Sequence, residues 1–431
     1  MELFNKKTVK DIDLRAKTVL LRVDYNVLHK GKVNSELRLL ATVPTIEYLL
    51  KNDCKIVLLT YAGRPDGKIV PELSLKPVAN RLGEILNRRV RFVPECVGEE
   101  VENAVKTLKP RELLLLENVR FHPEEEKNDE AFAKQLAGLA DVFVQDAFGQ
   151  VHRTQASITS VAKYLPSVAG LLLEKEVTTL TKVMKDPEQP LVAVVGGAKI
   201  GDKIEILDKL MELADCLAVG GALANNFLVA EGLKVGKSLV DKESLDTARQ
   251  VLARARKTEK QRPFSFLTPV DAVVSTSIEG KTSTRVVDLA SNTLADIEAY
   301  PKLPKASASI VKKDELILDI GPISAAAIAG AVKMSRTVIW NGTMGVTETK
   351  GLAGAQAPFA HGTRLVAEAM VGASNSHANK PFSVVGGGDT VGYVESEGLT
   401  ADFNHVSTGG GASLELMSGH KLPGVEALLD K

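Results

Sequence analysis

Short apolar runs rich in valine, leucine and isoleucine recur along this chain and alternate with stretches of helical periodicity. The first part carries them at Thr18–Val23, Lys55–Leu59, Val90–Val93, Glu112–Leu116 and Val142–Gln145. The second part carries them at Leu191–Val195, Cys216–Val219, Phe264–Leu267, Asp271–Val274, Leu316–Asp319, Thr337–Trp340, Phe382–Val385 and His405–Ser407. Leu191–Val195, five apolar residues of which three are valines, reads as a short buried strand. Helical patterns fall between them: one whose regular part is expected to begin near Pro44, with Arg38 at its approach; one capped by Ser74; and others near Val101–Leu108, Asp129–Leu139 and Leu171–Met184. Strand–helix alternation predicts an α/β fold with mainly parallel, doubly wound sheets. At 431 residues the chain has room for more than one core, and the proline-flanked K-D-P-E-Q-P after the long helix is the best boundary.

The residues that come after each run differ between the two parts. In the first, Arg22, Arg64, Arg120 and Arg153 each stand at, or a few residues past, the end of a separate strand. Ligands of open parallel sheets bind outside the carboxyl ends of the strands, so these arginines are expected to converge. Guanidinium forks match carboxylates and phosphates, and the first part is therefore read as a binder of a small, multiply anionic ligand. In the second part glycines come after the runs that begin at Leu191, Cys216, Thr337, Phe382 and His405, which suggests that this sheet edge approaches a ligand closely.

The stretch L-V-A-V-V-G-G-A-K-I-G-D-K, Leu191–Lys203, combines a strand, a glycine turn and two lysines four residues apart, on one face if a helix starts there. Free N–H groups and the helix dipole favour an anion at such a turn. G-G-G-D-T, Gly386–Thr390, and S-T-G-G-G-A-S, Ser407–Ser413, are two further turns of this kind. Asp389 or Thr390 would serve as a helix cap, but an acid beside a phosphate turn also suits Mg²⁺. Together these features point to a polyphosphate ligand, most economically a nucleotide. Gly232–Ser238 resembles a P-loop but has three residues between its glycines where that motif needs four, and no strand precedes it; it is read as a loop after a helix. Ser275–Val286 reads as a hairpin turning at Glu279-Gly280.

Several classes are disfavoured. Formal net charge is zero, which removes the footprint of a general nucleic-acid binder. No apolar run reaches the length of a membrane span, and the N-terminus lacks a signal-peptide core. The three cysteines are far apart, which suits a reducing compartment and argues against disulfides or a zinc site. No G-x-G-x-x-G follows a strand, which weakens a nicotinamide-dependent oxidoreductase.

Longer motifs carry a specific resemblance: L-R-V-D-Y-N-V (Leu21–Val27), Gly63-Arg64-Pro65, E-N-V-R-F-H (Glu117–His122), Asp146–Arg153, V-G-G-A-K-I-G-D-K (Val195–Lys203), Trp340-Asn341-Gly342, Gly386–Thr390 and H-V-S-T-G-G-G-A-S-L-E-L (His405–Leu416). In these the chain resembles the phosphoglycerate kinases from end to end. The resemblance implies two Rossmann-like lobes: an acid-binding lobe over residues 1–170, a connecting helix and linker over 171–190, a nucleotide-binding lobe over 191–406, and a segment 407–431 packing back on the first lobe. It implies a cytoplasmic monomer that closes on a hinge and moves a phosphoryl group between ATP and 3-phosphoglycerate, with Mg²⁺. Carried over by position, Arg22, Asp24, Asn26, Arg38, Tyr61, Arg64, Arg120 and Arg153 would hold the acid. Gly197, Lys199, Lys203, Gly221, Asn341, Glu348, Gly387, Gly388, Asp389 and Thr390 would meet the nucleotide, Asp389 holding the metal, with Arg38 and Lys199 as the catalytic pair. The chain departs from the family's pattern at Tyr61 (usually histidine), Leu28 and Thr343 (usually proline) and Gln155 (often histidine). Thr343 is expected to loosen the nucleotide loop. Tyr61 and Thr343 raise the alternative of a catalytically weakened homologue that binds a nucleotide or a partner.

Overall fold

The computed structural model describes residues 4–289, 311–351, 357–372 and 380–431. It divides into two units, residues 1–182 with 408–431, and residues 183–407, and the division falls inside one helix.

The first unit opens with strand β1 (Thr18–Arg22), a two-residue hairpin of β2 (Leu28–His29) and β3 (Lys32–Val33), helix α1 (Leu37–Lys51) and β4 (Lys55–Leu59). It continues with α2 (Lys76–Leu86), β5 (Val90–Phe92), α3 (Glu99–Lys106), β6 (Leu113–Leu115), α4 (Pro123–Glu126), α5 (Glu130–Ala137), β7 (Val142–Gln145), β8 (Ser167–Ala169) and α6 (Leu171–Lys185). Six strands form one parallel sheet in the order β5-β6-β4-β1-β7-β8. Alternate residues serve opposite faces: Val19, Leu21, Ile56 and Leu58 join the core under α1 and α2, while Leu20, Val57, Leu59 and Phe143 join that of α3 and α5. This is why the strands read as unbroken apolar runs.

The second unit contains β9 (Leu191–Val195), α7 (Ile204–Leu213), β10 (Cys216–Val219), α8 (Gly221–Ala230), α9 (Leu245–Gln261), β11 (Ser265–Leu267), β12 (Asp271–Ser275), β13 (Thr284–Asp288) and β14 (Leu316–Ile320). After these come α10 (Pro322–Met334), β15 (Thr337–Asn341), α11 (His361–Val371), β16 (Phe382–Gly386), α12 (Gly388–Ser396) and β17 (His405–Val406). Its parallel sheet runs β11-β10-β9-β15-β16-β17, and β13-β12-β14 form a separate antiparallel sheet. The chain then returns to the first unit with α13 (Gly411–Met417) and α14 (Pro423–Glu426). There Lys7 N–H donates to Leu429 O at 2.8 Å, Leu429 N–H to Ser167 O at 3.0 Å, and Gly424 N–H to Val151 O at 2.8 Å. No helix among the described residues is long and apolar enough to cross a membrane.

Four expectations are corrected. Helix α1 begins at Leu37, so Arg38 lies in its first turn and Pro44 inside it. The proline removes one intrahelical donor, but the carbonyl it orphans belongs to Leu40, which is 49% exposed and open to water. Ser74 does not cap α2; its hydroxyl donates to Glu117 Oε2 at 2.6 Å. Asp271–Ser275 and Leu316–Ile320 are not parallel strands. Only three residues separate β11 from β12, and a parallel crossover needs about a dozen. Strand β8 was hidden because S-V-A is too short to read as an apolar run. The Ser275–Val286 hairpin is present as β12 and β13 with Gly280 at φ +73°, and Gly232–Ser238 lies in the loop after α8.

Candidate active site

The four arginine-tipped strands are contiguous in the first sheet, in the order β6-β4-β1-β7, so their carboxyl ends open on one edge. Two of the arginines meet there at one aromatic ring. The Arg120 guanidinium lies over the Tyr61 ring at 3.9 Å from its centroid, and that of Arg22 at 5.5 Å. Stacking on an aromatic face is a geometry guanidinium favours. Arg120 donates from Nη1 to Gly63 O at 2.9 Å and from Nη2 to Gln150 Oε1 at 3.2 Å. Gln150 Nε2 in turn donates to the Tyr61 hydroxyl at 2.7 Å. Tyr61 is buried, which pushes its phenol up to about 12, with Asp24 adding to the shift. Nearby, Arg38 Nη1 donates to Asp24 Oδ1 at 2.9 Å, and Asn26 Oδ1 accepts from Gly63 N at 2.9 Å. Arg64 and Arg153 stand exposed at the same strand ends, and Arg153 is near enough to Arg120 to oppose its charge.

Arg22 is placed differently from the expectation of a ligand group. It is wholly enclosed: Nε donates to Ser157 Oγ at 2.8 Å and Nη1 to Val23 O. The same serine donates to Glu125 Oε1 at 2.6 Å, and its N–H to Glu125 Oε2 at 2.8 Å. Arg22 and Glu125 thus compensate one another beside Tyr61. Burial lowers the guanidinium's pKa and raises the carboxyl's. Glu125 and Gln150 were missed because each sits inside a helical turn with no strand ending on it.

In the second unit a cavity of about 440 Å³ opens beside the ends of β9, β10 and β15, within the size range of small-molecule sites. Gly197, Gly221, Glu348 and Asp389 line it, with Leu228, Leu318 and Met344 among its apolar walls. Asp389 lies exposed in the first turn of α12, whose N-cap is Gly387, and neither Asp389 nor Thr390 caps that helix. Thr390 is buried and its Oγ1 accepts from Gly342 N at 2.6 Å. An exposed carboxylate at a helix start on the wall of such a cavity fits Mg²⁺, which takes one or two carboxylates and leaves its other positions to water and phosphate.

The two lysines part company. Helix α7 starts only at Ile204, after a 3₁₀ turn at Gly201–Lys203, so they do not share a helical face. Lys203 is drawn inward and donates to Gly196 O at 2.6 Å, Asn341 O at 2.9 Å and Asn341 Oδ1 at 2.8 Å. Burial brings its pKa down to about 8. Lys199 stays exposed beside Ala198, a wall residue of the cavity. Asn341 Nδ2 is buried without a partner among the described residues.

Most glycines here serve chain packing rather than ligand approach. A Cβ on Gly196 would lie 2.1 Å from Thr343 O, one on Gly342 2.1 Å from Gly196 O, and one on Gly221 2.8 Å from Gly197 N. Gly387 faces the Asn341 side chain, whereas Gly388 faces open space. The loop expected to be loosened by Thr343 is tied down. Trp340 Nε1 donates to Gly342 O at 2.9 Å, Met344 N to Thr363 Oγ1 at 3.0 Å, and Gly221 N to Met344 O at 3.0 Å.

A family model described as phosphoglycerate kinase matches residues 9–420. The chain belongs to the phosphoglycerate kinase family. Similar proteins include the phosphoglycerate kinase of Moorella thermoacetica, 46% identical over 99% of this chain and 100% of that one. That of Chloroflexus aurantiacus is 45% identical over 99% of each. Among solved structures, the phosphoglycerate kinase of Coxiella burnetii superposes with a TM-score of 0.77 at 34% identity, and that of Pyrococcus horikoshii with 0.82 at 30%, each covering 98% of both chains. The family's enzymes are kinases that transfer a phosphoryl group to the carboxyl of 3-phosphoglycerate.

Proposed function

We propose that the arginine-lined edge of the first unit binds 3-phosphoglycerate and that the cavity of the second binds Mg-ATP or Mg-ADP. The observation that carries this reading is the pairing of site types within one chain of this family. Guanidinium groups gather on contiguous strand ends in one unit, and a largely apolar cavity with an exposed carboxylate lies in the other.

The chemistry explains why no general base is needed. A carboxylate acceptor is already ionised at pH 7. Transfer then depends on aligning acceptor and phosphoryl group at about 3–3.5 Å and on neutralising charge in a loose transition state. Arg38 suits the acceptor side because Asp24 fixes one of its donors while part of its guanidinium stays accessible. Lys199 suits the phosphoryl group in flight because its ammonium is exposed and untethered by any described hydrogen bond. Lys203 holds the ends of β9 and β15 together and places a positive charge beside Gly197. Asp389 would hold Mg²⁺, which when bound neutralises phosphate charge, and Glu348 would accept the ribose hydroxyls. Asn341 Nδ2, lacking a partner, is available to a phosphate oxygen. Arg64, Arg120, Arg153, Asn26 and Tyr61 complete the acid site, with Arg22 supporting it from beneath.

Ligands held on separate units must come together for in-line transfer, so closure is part of this reading. Three buried free thiols fit a cytoplasmic, reducing compartment. The test is an assay of the purified protein with ATP, Mg²⁺ and 3-phosphoglycerate. ADP formation that requires the acid is expected; ATP hydrolysis that ignores it would overturn the reading.

A further inference from the structure

Outside these sites, the loops that leave β5 and β6 bring together three metal-ligand side chains that lie far apart in sequence. The two strands are neighbours in the first sheet. Glu95 and Cys96 lie in the loop after β5, and His122 closes the 3₁₀ turn after β6. The loops are pinned to one another, since Glu117 N–H donates to Glu95 O at 3.2 Å and Cys96 Sγ to Glu117 O at 2.8 Å. Ligand atoms of Glu95, Cys96 and His122 all lie within 4.8 Å of one another. Glu95 Oε1 and His122 Nε2 are 2.6 Å apart, and the imidazole ring rests against Phe132 with centroids 5.0 Å apart.

We propose that Glu95, Cys96 and His122 form a binding site for a thiophilic divalent cation of the zinc class. One thiolate, one imidazole and one carboxylate are a donor set suited to Zn²⁺, with a water as fourth ligand. Ideal Zn–S, Zn–N and Zn–O lengths set ligand–ligand separations of roughly 3.3–3.6 Å. Glu95 and His122 are therefore too close and must part slightly. Both are partly exposed, their side chains being 40% and 26% accessible, and Glu95 Oε1 also accepts from Cys96 N–H at 2.7 Å, so the carboxylate would offer the metal its other oxygen or give up that bond. Cys96 is fully enclosed and comes in from below. On binding, its S–H bond breaks, an S–Zn bond forms, and the proton leaves to solvent. The cation would tie the β5 loop to the turn that carries Arg120.

The decisive experiment titrates Co²⁺, as a spectroscopic substitute for zinc, into the full-length, nucleotide-free protein. The site predicts a one-to-one complex with a sulfur-to-cobalt charge-transfer band, displaced by Zn²⁺. Cobalt at Asp389 or any other oxygen site gives no such band. Cys96→Ser removes the band, and His122→Gln weakens cobalt binding tenfold or more. Zn²⁺ binding to the wild type at pH 7 releases about one proton, read with a pH indicator. Because Cys96 is buried, circular dichroism of each variant accompanies the titration, and His122→Gln, on a partly exposed side chain, carries the test if Cys96→Ser is misfolded. Absence of the band in the wild type, or unchanged affinity in folded His122→Gln, would overturn the proposal.

Discussion

In the first unit the groups proposed to face a ligand are side chains held by other side chains; in the second they are largely backbone held by backbone. Arg120 is fixed by Tyr61, Gln150 and the Gly63 carbonyl, and Arg38 by Asp24. Around the cavity, Gly196, Gly342 and Gly221 let strand ends abut at distances no side chain would permit, and Lys199, Glu348 and Asp389 are exposed ionisable groups there or next to its wall. A small, highly charged acid is recognised by guanidinium forks, whose mutual repulsion must be offset by nearby carboxylates and an aromatic face. A nucleotide offers a broad apolar base and a charged tail, so a shaped cavity with a few polar groups suffices. The contrast predicts that mutations should uncouple function from stability in the second unit but not in the first.

The largest effects are expected of the proposed catalytic pair. Lys199→Ala is expected to lower kcat by about 10²–10³-fold and to leave the melting temperature unchanged, because the side chain is exposed. Arg38→Ala should lower kcat comparably but also destabilise the fold, by about 1–3 kcal/mol, since it strips the nearly buried Asp24 of its ion-pair partner. Equal melting temperatures for the two variants would break the comparison. Next come the glycines. Gly196→Ala should cost about 1–3 kcal/mol, whereas Gly388→Ala, facing open space, should stay within about 0.5 kcal/mol. Chemical denaturation reads both.

The same contrast decides how much of the molecule was legible in its sequence. Strand positions and the arginine convergence could be read because parallel strands are apolar throughout and ligands gather at their ends. The glycine clusters were visible, but their role was not: a glycine required by a neighbouring carbonyl looks in sequence like one required by a phosphate. Lys199 and Lys203 have the spacing of a helical pair, yet the helix starts at Ile204 and one lysine turns inward. Arg22 looked like the other arginines because its partners, Ser157 and Glu125, come from more than a hundred residues downstream. The Glu95–Cys96–His122 cluster was invisible for the same reason, its halves belonging to loops after different strands.

Buried carboxyls give a smaller, pH-dependent effect in each unit. Burial raises Asp146 in the first unit and Asp319 in the second from 3.8 to about 7. Between these values the folded state holds protons that the unfolded chain releases, so stability is full below about pH 4 and falls as pH rises toward 7, by on the order of 1 kcal/mol per pH unit for each group. Asp146→Asn and Asp319→Asn should each flatten that slope in denaturation curves measured from pH 4 to 8; a slope unchanged in both would show that neither carboxyl titrates there. The smallest effect expected is that of Tyr61→Phe. It keeps the ring under Arg120 but loses the Gln150 hydrogen bond, about 1 kcal/mol. KM for 3-phosphoglycerate should rise less than tenfold with kcat preserved.

The division of labour between the units is tested most directly by calorimetric titration of each ligand separately into the wild type, Arg38→Ala and Asp389→Ala. The account predicts that Arg38→Ala loses affinity for 3-phosphoglycerate and keeps that for Mg-ADP, while Asp389→Ala does the reverse. A variant that weakens both ligands equally, or the opposite ligand, would contradict it.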